Sequence, residues 1–297
     1  MPETGMLISV IGDFAVTEDA CAKINLALHV TGQRPDGYHL LEMLVTFARH
    51  GDRLGFAPAD ADDFTLSGQF ADVLADEPGT NLVLKARDLL REAAGGAPPV
   101  HIHLEKNLPV SSGIGGGSAD AAATLRGLVR LWNLTLPAET IATLALKLGA
   151  DVPMCLRSVP LIARGIGEEI ETADTLPSFA MVLANPLKGV STPEVFRRLV
   201  TKNNPPLALP RTLHWMEAIR ATRNDLEPPA RDLVPEIAEI SAMLASEGAL
   251  LTRMSGSGAT CFGIFETPIA ALRAAERLHA AHPDWYFQAT ETFAGGA

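Results

Sequence analysis

Gly113, Gly115, Gly116 and Gly117 fall within five residues and end on Ser118, directly ahead of an alanine-rich run. Glycine has no Cβ and reaches backbone conformations closed to other residues, so such a cluster lets several N–H groups converge on one oxygen-rich ligand. The run 119–131 contains no proline and spaces its apolar side chains helically, which predicts a helix whose first turn adds free amides and a favourable dipole end. The chemistry on offer is the holding of phosphate, with a nucleotide as the leading ligand. A P-loop would place Lys and then Ser or Thr after the last glycine, whereas Gly117 is followed by Ser118 and Ala119. A dinucleotide fingerprint opens directly after a strand, and here Lys106, Asn107, Leu108 and Pro109 intervene after the strand predicted over 100–105. A plain connecting turn is the alternative.

Phosphoryl transfer needs more than a cradle: it needs charge neutralisation and a group that orients or deprotonates the acceptor hydroxyl. Asp151 is the best candidate for the last, because it follows the cap of a predicted helix and Pro153 stiffens its connection. An ordinary turn aspartate is the competing reading. Lys23 could neutralise developing charge or lower the pKa of a neighbouring carboxylate, or else sit solvated on the polar face of a strand. Tyr38 and His39 combine flat rings with polar tips and could stack on a heterocycle, or simply pack. His101 and His103 share one strand face without a third ligand at zinc spacing. Ser255, in Met254-Ser255-Gly256-Ser257-Gly258, precedes a predicted strand, which is the wrong setting for a hydrolase elbow. Glu168 and Glu169 read as solvent-facing charge.

The chain of 297 residues is 47% hydrophobic, enough for a sizeable core and compatible with two domains. A net charge of -11 argues against a general polyanion or nucleic-acid binder, so any anion site must be local. Cys21, Cys155 and Cys261 form no Cys-x-x-Cys pair and suit a reducing cytosol, so a cytoplasmic location is expected. The apolar stretch 6–10 has no basic segment ahead of it, and no window has the apolar length of a membrane helix, so neither a secretory leader nor a membrane span is expected.

These residues need elements to position them. Residues 23–30 alternate Lys23, Asn25, Ala27 and His29 against Ile24, Leu26, Leu28 and Val30, the period of a strand with one buried face, so Lys23 and Asn25 project together. Residues 33–37 form a turn by their Pro and Gly chemistry, and 40–47 a returning strand. Helices are predicted over 81–93, after the glycine loop, and from 137 to a cap at Gly149. Beyond Pro153 come strands at 160–163, 180–184 and 261–265, helices at 193–200, 213–221, 235–247 and 268–281, a loop at 203–210 and a second glycine turn at 253–258. The mixture indicates an α+β protein, with a domain boundary near residue 157.

Four segments together resemble the GHMP kinases. They are Ala22-Lys23-Ile24-Asn25-Leu26 continuing to Tyr38-His39, Pro109 to Ala122, Gly149-Ala150-Asp151-Val152-Pro153, and Met254 to Gly258. The opening segment is most similar to the branch of the family that phosphorylates the tertiary 2-hydroxyl of a cytidine diphosphate-linked methylerythritol, a small-molecule substrate of the non-mevalonate isoprenoid route. The resemblance implies an N-terminal domain like ribosomal protein S5 domain 2 (1–157) and a ferredoxin-like C-terminal domain (158–297), with the active site between them. It implies ATP and Mg²⁺, Asp151 as base and Lys23 as its partner. Asn25, Tyr38, His39 and Thr192 fall at substrate positions. Pro109, Val110, Ser111, Ser112, Gly113, Ile114, Gly115, Gly116, Gly117, Ser118 and Ala119 map to the ATP cradle, with Lys106 near the adenine and Ser118 toward Mg²⁺. Cys21, Ile114 and Ala119 replace the proline, leucine and serine frequent in the family. Two other readings stay open: a kinase of the same scaffold for another small alcohol, and a non-catalytic nucleotide-binding regulator.

Overall fold

The computed structural model describes residues 10–75, 81–209 and 214–296. Its dominant feature is a long antiparallel hairpin of β1 (Val16–Gln33) and β2 (His39–Pro58). The turn between them closes through Gly37 N–H to Arg34 O at 3.0 Å and Arg34 N–H to Tyr38 O at 2.7 Å, with Gly37 at φ +93°. The alternation in β1 predicts one buried and one polar face, but both are covered and residues 20–30 are all buried. Ala22, Ile24 and Leu26 pack into one apolar cluster with Phe262 and Ile264, while Leu28 and Val30 join another with Leu125 and Leu128. The change of side follows register irregularities between Cys21 and Lys23 and between Asn25 and Ala27, where an extra residue re-aims the strand.

Around this hairpin, β3 (Asp63–Ser67), β4 (Val100–Glu105), β5 (Leu161–Gly165) and β6 (Glu169–Thr172) complete the first sheet in the order β3-β4-β2-β5-β6, with β1 on β2. Its helices are α1 (Ala71–Ala75), α2 (Leu82–Ala93), α3 (Gly116–Leu131), α4 (Ala138–Leu148) and α5 (Val152–Arg157). The helix α3 lies close on the sheet because Gly127 faces Phe56: a Cβ there would come within 2.2 Å of the ring.

The second sheet has the order β10-β7-β9-β8, from β7 (Ala180–Asn185), β8 (Leu251–Met254), β9 (Cys261–Phe265) and β10 (Tyr286–Glu291), with antiparallel pairings throughout. Helices α6 (Thr192–Arg197), α7 (Trp215–Arg220), α8 (Glu227–Leu233) and α9 (Glu236–Ser246) separate β7 from β8, and α10 (Pro268–Ala281) joins β9 to β10. This β-α-β-β-α-β path is the ferredoxin-like one the resemblance implies.

The expected strand 100–105 and the strand and helix at 261–265 and 268–281 form with those bounds. The helix expected over 193–200 ends at Arg197, and 253–254 belong to β8 rather than to the glycine turn. Positions 210 and 213, at the ends of an expected loop and helix, lie outside the described residues. The expected division at 157 precedes β5 and β6, yet β5 pairs with β2, so the change of sheet falls between Thr172 and Ala180.

Candidate active site

A cleft of about 770 Å³ collects residues from β1, the glycine loop, the start of α5, the start of α6 and the turn after β8, a size usual for small-molecule sites. Lys23, buried between both layers, projects from β1 and places Nζ 2.7 Å from Asp151 Oδ2. Asp151 keeps a third of its side chain exposed to the cleft, at 35%. The stiff connection expected around Pro153 is the first turn of α5, with Asp151 at its N-cap and proline among its first two residues. The Lys23 N–H donates to Ile114 O at 2.8 Å, so the strand carrying the cation is bonded directly to the glycine loop.

The loop is shaped by conformations open mainly to glycine: Gly113 has φ +78° and Gly115 φ +65°. Gly115 is the N-cap of α3 and its carbonyl accepts the first helical bond, from Ala119 N–H at 2.8 Å. The amides of Gly116, Gly117 and Ser118 precede that bond, so the helix itself offers them no partner, and all three residues line the cleft. Pro109, Val110, Ser111, Ser112 and Gly113 line it as well. Ile114 and Ala119 turn their side chains into the core and serve the loop through backbone atoms.

The turn after β8 roofs this loop. The buried Ser255 hydroxyl accepts from Asn25 N–H at 3.0 Å and donates to Gly113 O at 3.1 Å, and Thr260 N–H donates to Ser112 O at 3.0 Å. Asn224 Nδ2 holds the turn from behind, donating to Met254 O and Gly256 O, each at 2.8 Å. Gly256, at φ +55°, lies so close that a Cβ on it would sit 2.5 Å from Gly113 O.

Below the loop lies a buried ionic cluster absent from the expectations. Lys106 Nζ is 2.5 Å from Asp52 Oδ2 and 2.7 Å from Asp120 Oδ2. Asp52 Oδ1 accepts from the N–H groups of Asn107 at 2.6 Å and Leu108 at 2.8 Å. Burial, reinforced by the Asp52 charge, pushes the Asp120 carboxyl well above the usual carboxylate range. Burial alone would depress the Lys106 ammonium, but Asp120 and Asp52 outweigh it and the net shift is upward. Asp52 and Asp120 carry no local motif; only the fold brings them to Lys106.

On the opposite wall Asn25 is fully buried, its Nδ2 directed to Met43 Sδ at 3.3 Å and its Oδ1 without a partner. Thr192 Oγ1 and Ser257 Oγ share a 2.6 Å hydrogen bond at the cleft edge. Tyr38 is exposed, and neither it nor His39 lines the cleft. His39 instead stacks on Phe196, a wall residue, with ring centroids 4.7 Å apart. Burial, with the Lys202 charge, lowers the His39 pKa and favours the neutral ring. His101 and His103 are occupied elsewhere, each 2.8 Å from the Thr65 hydroxyl.

The models for the GHMP kinases N terminal domain and the GHMP kinases C terminal domain match residues 81–158 and 208–284. A 4-diphosphocytidyl-2-C-methyl-D-erythritol kinase of Rhizobium etli is 73% identical over the full length of both chains. The chain belongs to the GHMP kinase family. Another relative of that name, from Agrobacterium fabrum, is 60% identical over 96% of this chain and 99% of its own. Among solved structures, a 4-(cytidine 5'-diphospho)-2C-methyl-D-erythritol kinase superposes with a TM-score of 0.79 at 35% identity, covering 94% of this chain and all of that one. An L. major mevalonate kinase shares the GHMP kinase fold at 14% identity and a TM-score of 0.66, covering 94% of this chain and 97% of that one. In this GHMP kinase no helix among the described residues is long and apolar enough to cross a membrane.

Proposed function

We propose that this chain transfers the γ-phosphoryl group of ATP to the 2-hydroxyl of 4-diphosphocytidyl-2-C-methyl-D-erythritol, a step in isoprenoid precursor synthesis. The observation that carries the chemistry is the Lys23–Asp151 pair, 2.7 Å apart in the same cleft as the glycine loop. The loop's glycine-shaped backbone and the start of α3 hold the triphosphate. Asp151 accepts the proton of the acceptor hydroxyl as its oxygen bonds to the γ-phosphorus, the bridging P–O bond breaks and ADP leaves. Lys23 holds the Asp151 carboxylate in place through their 2.7 Å contact and offsets charge at the reacting oxygens.

Asn25 presents an unpartnered buried acceptor to the substrate, Thr192 a hydroxyl, and Tyr38 and His39 the means to hold the cytidine end at the cleft margin. Among the described residues no three His, Cys, Asp or Glu side chains cluster to hold a metal. A Mg²⁺ would be held by the nucleotide phosphates together with the hydroxyl of Ser118, which lines the cleft, and would supply charge neutralisation at the phosphates.

Purified protein is expected to consume ATP with the diphosphocytidyl acceptor and not with mevalonate or homoserine. Equal turnover with either of those alcohols would overturn the assignment of the acceptor.

A further inference from the structure

Lys106 was expected beside the adenine, but two of the three N–H donors of its ammonium are directed at carboxylates. Lys106 is 3% exposed and its two carboxylate partners are buried with it. The positions of the three residues along the chain are informative. Lys106 stands just before the glycine loop and Asp120 just after it, in the second turn of α3. Asp52 belongs to β2 and holds the intervening backbone through the Asn107 and Leu108 N–H groups. The loop rests directly on the cluster, since a Cβ on Gly116 would lie 3.2 Å from Lys106 Nζ and 3.7 Å from Asp52 Oδ2.

We propose that the Asp52–Lys106–Asp120 cluster is a positioning device that clips the two ends of the phosphate loop together and thereby sets its affinity for the triphosphate. This rests on the reading of the glycine loop as the ATP site. A flexible loop loses entropy when its ends are fixed, and a site whose donors are already in place binds more tightly because less ordering remains to be done on binding. Lys106 also balances carboxylates that would otherwise lie uncompensated beneath an anion.

The test compares inorganic tripolyphosphate, which has no base, with ATP in calorimetric titrations of the full chain. Lys106→Met and Asp120→Ala are each expected to weaken both ligands by the same factor, about tenfold, equivalent to ~1.4 kcal/mol. Asp120→Asn, which keeps an acceptor for the ammonium, is expected to bind both more nearly as the parent does. Asp120→Ala is informative by sign, because removing an acid from beneath phosphate would tighten binding if the cluster acted by charge alone. It also extends the alanines of α3, so it carries the test if Lys106→Met fails to fold. Unchanged or tighter tripolyphosphate binding in Asp120→Ala overturns the clip, and a loss for ATP that tripolyphosphate does not share returns Lys106 to the base. If the parent protein binds neither ligand, the kinase reading fails first.

Discussion

Lys23 and Asp151 approach to 2.7 Å from separate segments, the lysine from the middle of β1 and the aspartate from the cap of α5. Asp151→Asn keeps the shape and removes the basic carboxylate. Turnover is expected to fall by roughly 10²–10⁴-fold, the range typical of a general base, while calorimetry finds ATP and acceptor binding retained. Wild-type turnover in the variant would remove Asp151 from the mechanism.

Gly113 cannot take a side chain where it stands. A Cβ would lie 2.5 Å from Ser255 O and 2.7 Å from Gly258 N, at φ +78°. Gly113→Ala is expected to lose about 1–3 kcal/mol of stability in urea and, with the loop displaced, most of its ATP affinity. A variant with the parent's midpoint and affinity would show that the loop and its roof are not closely packed in solution.

Ser255→Ala strips two partners at once, leaving the Asn25 N–H and the Gly113 carbonyl unmatched. The cost is expected to be about 1–3 kcal/mol. Because those groups belong to the acceptor strand and the phosphate loop, KM should rise for both substrates. A rise confined to one of them would contradict a shared role.

Away from the site, Asp62 supplies a pH signature. Its hydrogen bonds from Arg91, with help from Val100 N–H and the Arg87 charge, pull the carboxyl from 3.8 down to about 2. A depressed acid contributes stability that is present above its unfolded pKa and lost as pH falls through its folded one. Asp62→Asn should therefore lower the denaturation midpoint at neutral pH, with the gap to the parent closing between about pH 4 and pH 2. NMR titration of the Asp62 carboxyl to a midpoint near 4 would refute the assignment.

The fold was most legible where a local pattern carried its own punctuation. Thr267 ahead of Pro268 opens α10, its hydroxyl accepting from Ala270 N–H at 3.1 Å, and the apolar run of β9 is buried throughout. The elements not anticipated, among them β3, β6, β8, β10, α1, α5 and α8, are short, and their side chains give a weaker signal. In β6 none of the residues Glu169, Ile170, Glu171 and Thr172 is fully buried, and the strand exists through its pairing with β5. The helix α8 carries Pro228 and Pro229 in its first turn, which reads as a break until the helix start is known. In the site, Lys23, Asp151 and the glycine loop were visible because each sits in a compact motif. Asp52 and Ser255 were not visible as site residues, since their roles arise only when β2 and the turn after β8 reach the loop from distant sequence. Tyr38 and His39 show the converse: they lie in a specific motif, yet neither lines the cleft, and His39 meets it only through its stacking on Phe196.

The phosphate loop of this protein does not travel as a cassette. Its sequence belongs to the first half of the chain, but the atoms that fix its crown, Ser255 Oγ and Thr260 N, belong to the second. Cutting the chain after the first sheet would leave every glycine of the motif and the cluster beneath it in place, and remove the two bonds that fix its crown. On the proposed reading of the loop, nucleotide recognition would draw on both halves of the chain, and a graft or truncation carrying the motif alone would lose the Ser255 and Thr260 contacts to it.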